Sequence, residues 1–191
     1  MLFFTSDLHL GHANIIRYCD RPFANVGEMD AELIHRWNET VGEEDVVYFL
    51  GDFCVGDPRK YARRLKGLIY FLPGSHDKEI GKLDNILPPI YTLSHIPVPI
   101  VLCHYALRSW PMSHYGSWHL YGHHHGRLEP YGLSFDVGVD GHDFYPQTCL
   151  NRKSGIDIIP HPHQHGSTSQ NTCASPPRML LGLLLGGGES G

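Results

Sequence analysis

Leu2-Phe3-Phe4-Thr5-Ser6-Asp7-Leu8-His9 opens the chain with an apolar run that breaks abruptly into acid and imidazole. The run is too short for a helix and predicts a buried strand whose carboxyl end carries polar groups. The same construction recurs: Val46-Val47-Tyr48-Phe49-Leu50 stops at Gly51-Asp52, and residues 68–72 stop at Pro73-Gly74-Ser75-His76-Asp77. Between the first two runs, Met29, Leu33, Trp37 and Val41 fall four apart with Ile34 beside them. That spacing gives one apolar helical face over residues 28–41. Asp57 as N-cap and Pro58 at the first helical position predict a basic helix running to Leu65. A short helix is expected near residues 77–83. Alternating strands and helices imply a parallel sheet covered by helices. Residues 99–103, 118–121 and 133–139 then read as short strands of a second sheet.

Composition narrows the classes. The 191 residues fit one domain with or without a tail, and 41% hydrophobic with 18% charged residues suffices for a core. A net charge of −5 provides no basic footprint for strong nucleic-acid binding. No apolar run reaches the roughly 20 residues of a membrane helix, and the first residues lack the segments of a signal peptide. Five cysteines, odd in number and never in CxxC spacing, disfavour both a disulfide framework and a zinc ribbon. A cytoplasmic location is expected. From residue 147 the composition shifts toward Pro, His, Ser and Gly, so residues 1–146 read as the domain and 147–191 as a low-complexity, disordered tail.

The chemistry lies in placement. Asp7-x-His9, Gly51-Asp52, Ser75-His76-Asp77, Cys103-His104 and Gly122-His123-His124-His125 each end or follow a predicted strand. Ligands of α/β sheets bind outside the carboxyl ends of strands. Asp7, His9, Asp52, His104, His123 and His125 are six nitrogen and oxygen donors, more than one tetrahedral centre uses, which suggests two divalent ions with a bridging carboxylate. The mixed donor set suits manganese, iron, zinc, cobalt or nickel and excludes an all-oxygen calcium cage.

The order of these motifs resembles the calcineurin-like metallophosphoesterase superfamily: Asp-x-His, Gly-Asp-x-x-x-Gly (Gly51 to Gly56), Gly-Asn-His-Asp, a lone His, and Gly-His-x-His. Ser6-Asp7-Leu8-His9-Leu10-Gly11-His12 and the run from Cys103 to Trp110 are similar to its small single-domain bacterial and phage-type members. The resemblance implies an α/β fold, a two-sheet β-sandwich flanked by helices (αββα). It puts Asp7, His9 and His125 on a first metal, His104 and His123 on a second, and Asp52 between them. It makes His76 the catalytic acid, oriented by Asp77, and a hydroxide bridging two ions, manganese first among them, the nucleophile on a phosphomonoester or phosphodiester. The family's Asn, a ligand of the second metal, is Ser75 here. A serine hydroxyl is shorter and a poorer donor, so occupancy of that centre should weaken. The competing reading is a catalytically weakened binding or scaffold module on the same fold.

Singly, each motif has a plainer reading: a capping Asp, a turn Asp, a hydrogen-bonded strand-end His. Jointly and in order, the metal reading prevails. His124, between two ligands on extended chain, should point the other way. His12, Asn14 and Arg108 are candidate substrate contacts, Arg108 because a guanidinium grips phosphate bidentately. Trp110, Trp118 and Tyr121 could stack a nucleobase, although aromatics there more often belong to the core. Nucleotides or oligonucleotide ends are the expected esters. The oligomeric state is not legible.

Overall fold

The structure, a computed structural model, describes residues 1–129, 131–152 and 155–159. Its elements follow in order as β1 (Leu2–Thr5), α1 (Ala13–Tyr18), α2 (Val26–Thr40), β2 (Val46–Phe49), α3 (Arg59–Ala62), β3 (Leu68–Phe71), β4 (Ile90–Leu93), β5 (Ile100–Cys103), β6 (Trp118–Tyr121), β7 (Ser134–Asp136), β8 (Gln147–Arg152) and β9 (Gly155–Ile159). Turns of 3-10 helix at Ile80–Lys82, Ser113–Tyr115 and Val139–Gly141 complete the set. The strands form two sheets, ordered β3-β2-β1-β8-β9 and β4-β5-β6-β7. β1, β2 and β3 are mutually parallel, as the alternation of strand and helix requires. The α/β sandwich expected from the sequence is what forms.

The apolar runs are continuous because both faces of the first sheet are covered. Period-two alternation sends Phe3, Val47, Phe49, Ile69 and Phe71 to one side, where they pack with Met29, Leu33, Ile34 and Trp37 of α2. Phe4, Tyr48, Leu50 and Leu72 turn inward against Leu93, Ile100, Leu102, Trp118, Leu120 and Val137 of the second sheet. Each such side chain, fully buried, contributes about 1.5–3 kcal/mol. The far face of the second sheet is covered by the segment from Tyr105 to Ser117. There the Trp110 ring meets His119, whose Nδ1 bonds the Val101 carbonyl and whose Nε2 accepts the Leu107 N–H. His119 is thus a satisfied core residue.

Several expectations shift. α2 begins at Val26, two residues earlier than its apolar face suggests, because Asn25 Oδ1 accepts the Glu28 N–H at 3.0 Å and caps it. The basic helix shrinks to α3, with Asp57 bonding the Arg59 N–H from just outside it. The helix near 77–83 is a single 3-10 turn.

The larger correction concerns the domain boundary. Gln147–Arg152 is strand, pairs antiparallel with β1, and hairpins to Gly155–Ile159. The sheet therefore runs thirteen residues past the point where composition changes. Without β8, the edge of β1 would leave its backbone groups unpaired, and a backbone ladder places weak demands on side-chain type. The remainder of the expected tail, 160–191, lies outside the described residues. Among the described residues no helix is long and apolar enough to cross a membrane.

Candidate metal centre

Two loops build the floor of the site. After β1 and β2 the chains stay zipped: the Asp7, His9 and Leu10 N–H groups donate to the carbonyls of Gly51, Asp52 and Phe53, each at 3.0 Å. Asp7, His9 and Asp52 all adopt left-handed backbone, with φ of 61°, 52° and 60°. His123 and His125, beyond β6, do the same at 69° and 51°. Non-glycine residues rarely sit there, and each costs of order 1–3 kcal/mol unless its surroundings hold it. Five of the six donors expected from the sequence therefore occupy strained backbone.

Close backbone approach holds them. A Cβ at Gly122 would fall 2.1 Å from Ser6 Oγ and 2.4 Å from Asp7 Oδ2, and one at Gly74 would fall 2.3 Å from Asp52 Oδ1. No side chain fits at either position.

The donors converge in two groups. Asp7, His9 and His125 each bring one atom within 4.8 Å of the others, and so do Asp52, His104 and His123. Asp52 Oδ2 lies 3.5 Å from His9 Nε2 and 3.4 Å from His104 Nε2, so it faces both groups. His9 Nε2 is also 3.9 Å from Asp7 Oδ1. Asp7 Oδ1, His9 Nε2 and His104 Nε2 are buried, yet none has a hydrogen-bond partner. Buried polar atoms without partners are costly and rare. Asp7 Oδ1 faces His9 Nε2 across 3.9 Å, and His9 Nε2 and His104 Nε2 face Asp52 Oδ2 across 3.5 and 3.4 Å, an arrangement that fits a divalent cation's coordination demands, and the mixed imidazole and carboxylate chemistry agrees.

The outer ring nitrogens are fixed from behind. His104 Nδ1 bonds the Leu50 carbonyl at 2.8 Å, which turns Nε2 inward. His125 Nδ1 bonds Asp140 Oδ2 at 2.7 Å, and Asp140 is gripped bidentately by Arg21 at 2.8 Å on each oxygen. Arg21 also donates to the Asp7 and Leu8 carbonyls. Neither Arg21 nor Asp140 is evident from the motifs. Asp140 follows β7 and is one more strand-end carboxylate, a signal open to reading; Arg21 carries none.

Electrostatics follow the burial. Burial lifts the Asp7 carboxyl to about 6, against the Ser6 hydroxyl bond and His125, which lower it. His9 is pushed down to about 3 by burial, so its imidazole is neutral and ready to ligate. Burial also raises Asp52, but the facing His104 outweighs it and holds the carboxyl far below its ordinary range. Burial is likewise outweighed at Asp140, which His125 and Arg21 hold at about 2.

The remaining candidates divide. Ser75 stands where the motif places it, its hydroxyl donating to Asp52 Oδ2 at 3.1 Å, but its residue is exposed and the hydroxyl is spent on the carboxylate. The His76 ring meets His9 at 5.3 Å and His12 at 5.7 Å between centroids, and its N–H bonds Asp52 Oδ1. His12 joins this cluster. Asp77 does not take the orienting part expected of it. Its oxygens accept the backbone N–H groups of Asp52, Phe53 and Gly74 at 2.7–2.8 Å, and among the described residues it makes no bond to the His76 ring. It ties the β2 and β3 loops together instead. Asn14 is exposed on α1, and Arg108 lines hollows outside the donor groups. His124 is in neither group; its ring packs on Tyr121 and His123. Tyr105, not anticipated, lies edge-on to His104 and His123 at 4.9 and 4.8 Å.

No family model matches the chain. An uncharacterized protein of Methanocaldococcus jannaschii, MJ1445, is 35% identical over 157 residues, covering 76% of this chain and 85% of the relative. The crystal structure of AQ665, a protein of unknown function from Aquifex aeolicus, superposes with a TM-score of 0.60 at 23% identity over 76% of this chain and 94% of that one. A looser likeness, TM-score 0.40 at 22% identity over 72% of this chain and 77% of the other, is to Yfce, a phosphoesterase from E. coli. With the MJ1445 sequence matched at 35% identity over most of both proteins, the chain belongs to the MJ1445 family.

Proposed function

We propose that the protein hydrolyses phosphate esters with two divalent ions, the first held by Asp7, His9 and His125, the second by His104 and His123, with Asp52 shared. The observation that carries this is the pair of donor groups meeting at Asp52, with three buried donor atoms left without partners. When bound, such ions supply Lewis acidity to the phosphoryl oxygens and lower the pKa of water enough for attack near neutral pH.

The chain's own residues do the rest. Two carboxylates against two dications leave a positive excess that draws a phosphate ester in. Burial of Asp7, Asp52, His9 and His104 keeps bulk water from screening it. His76, exposed beside the ligand His9, is positioned to give a proton to the leaving oxygen as the ester P–O bond breaks and a water-derived oxygen bonds to phosphorus. The mixed imidazole and carboxylate set admits manganese, iron, zinc, nickel or cobalt, and the family resemblance puts manganese first.

The test is turnover of bis-p-nitrophenyl phosphate and p-nitrophenyl phosphate by metal-stripped protein resupplied with manganese. His76→Ala should lower kcat by about 10²–10⁴-fold on an ester with a poor leaving group and by less on nitrophenyl esters. Two ions bound without turnover across a wider ester panel would overturn the hydrolase reading in favour of a binding module; no ion bound would overturn the centre.

A further inference from the structure

The two imidazoles of the second donor group are held in different ways. His104 Nδ1 bonds the Leu50 carbonyl at 2.8 Å, so its ring is fixed from behind. His123 has no such tie. Its backbone is locked, with φ of 69° and its N–H on Asp7 Oδ2 at 2.9 Å, but among the described residues its ring has no hydrogen-bond partner. Metal-ligating imidazoles almost always donate the other ring N–H to a carboxylate, carbonyl or water, which sets the ring's orientation. Ser75 does not serve here, since its hydroxyl lies on Asp52 Oδ2. Rotation of the His123 ring is therefore a freedom that the protein's hydrogen bonds leave open.

Tyr105 restricts it. The rings of His104, Tyr105 and His123 form a mutually edge-on trio, with centroids 4.8–5.1 Å apart and interplanar angles of 61–74°. Edge-on rings attract because the positive rim of one meets the negative face of the next. Turning the His123 ring would break its contact with both of the others. Tyr105 is itself pinned. It follows the fixed His104, and two residues on, the Leu107 N–H donates to Nε2 of the buried His119 at 3.0 Å, whose Nδ1 meets the Val101 carbonyl. The Tyr105 hydroxyl makes no hydrogen bond among the described residues, so its ring is what it contributes. His124 also packs on His123, at 5.1 Å, but its other ring contact is Tyr121. We infer that Tyr105 is a positioning residue of the second donor group: wedged against His104 and His123, its ring sets the imidazole orientation that a hydrogen bond would otherwise set, and so governs affinity for the second ion. The inference rests on the two-ion reading of the donor groups.

The test is a calorimetric titration of the metal-stripped chain with manganese, with the visible absorption of cobalt-loaded protein as a second readout. Tyr105→Ala should weaken the second ion roughly tenfold and leave the first within about twofold. Tyr105→Phe keeps the ring and loses the hydroxyl; it should stay within about twofold on both ions and restore the cobalt spectrum that Tyr105→Ala alters. His124→Ala should weaken the second ion less than Tyr105→Ala does. Because Tyr105 is 47% exposed, its truncation should leave the urea midpoint of the metal-free protein nearly unchanged. A second-ion loss under about twofold in Tyr105→Ala, an equal loss in Tyr105→Phe, or a larger loss in His124→Ala overturns the wedge and leaves the two-ion reading standing. Equal weakening of both ions overturns it too, as a general loosening. A starting protein that binds one ion or none overturns the two-ion reading itself. Two ions bound with this dependence on Tyr105, and no ester turned over, keep the positioning role and overturn the phosphoesterase reading instead.

Discussion

The two donor groups share Asp52 but stand in opposite surroundings. Asp7 and His9 are almost wholly buried, Asp7 takes hydrogen bonds from Ser6 Oγ and the His123 N–H, and His125 is backed by Asp140 and Arg21. The other group has a buried His104, but His123 is only partly covered, Ser75 is exposed, and a half-exposed Tyr105 leans over it. One half is a buried socket braced from behind, and the other lies nearer the surface. The contrast teaches that two donor groups sharing one carboxylate can be held differently, one fixed by buried partners and the other left within reach of solvent.

Breaking the socket should cost most. Arg21→Leu leaves the buried Asp140 without its cation and should destabilise the metal-free protein by about 3–5 kcal/mol in urea unfolding. The sign follows from Asp140, held at about 2: the contribution is present above the ordinary carboxylate range and fades as pH falls through about 2. A loss under ~1 kcal/mol would show the ion pair to be dispensable. Next, Asp140→Asn should weaken the tighter ion about 10–100-fold in a metal titration and leave the weaker ion nearly unchanged. Equal weakening of both would erase the distinction between the halves.

Proton competition sharpens it further. Asp7, lifted to about 6, holds a proton in the metal-free fold, so metal-free stability should decline as pH rises from about 4 to 6 while the buried carboxyl ionises. A cation replaces that proton. Affinity for the first ion should therefore increase with pH up to about 6 and then flatten, by up to tenfold per unit; a flat profile from pH 5 to 7.5 would contradict the assignment. The smallest effect belongs to the open half. Ser75→Asn should tighten the second ion by roughly tenfold, read by the same titration; no change would show that the exposed serine never limited occupancy.

Much of this was legible. Strand runs that fill both faces of a sheet announce themselves by apolar continuity, and Asp and His at successive strand ends announce a site. β4 was missed because Ile90-Tyr91-Thr92-Leu93 lies beside prolines and is only partly buried. β8 was missed because its ladder to β1 needs backbone more than side chains. The Arg21–Asp140 pair joins residues 119 apart, and no local pattern relates them. Asp77 misled for the converse reason: the family resemblance assigned it to orient His76, whereas its carboxylate reaches across the fold to Asp52 and Phe53.

The pairing of β1 with β8 carries a consequence for how the molecule comes into being. The strand that delivers Asp7 and His9 leaves the ribosome well ahead of its second neighbour, which is synthesised some 145 residues later. A nascent chain that has completed β2 and β3 possesses half the floor of the site but has an open sheet edge, and His123, His125 and Asp140 do not yet exist. The socket thus cannot close until residues 123–148 have followed β1 out of the ribosome, and a cation held there would be captured in full only after that.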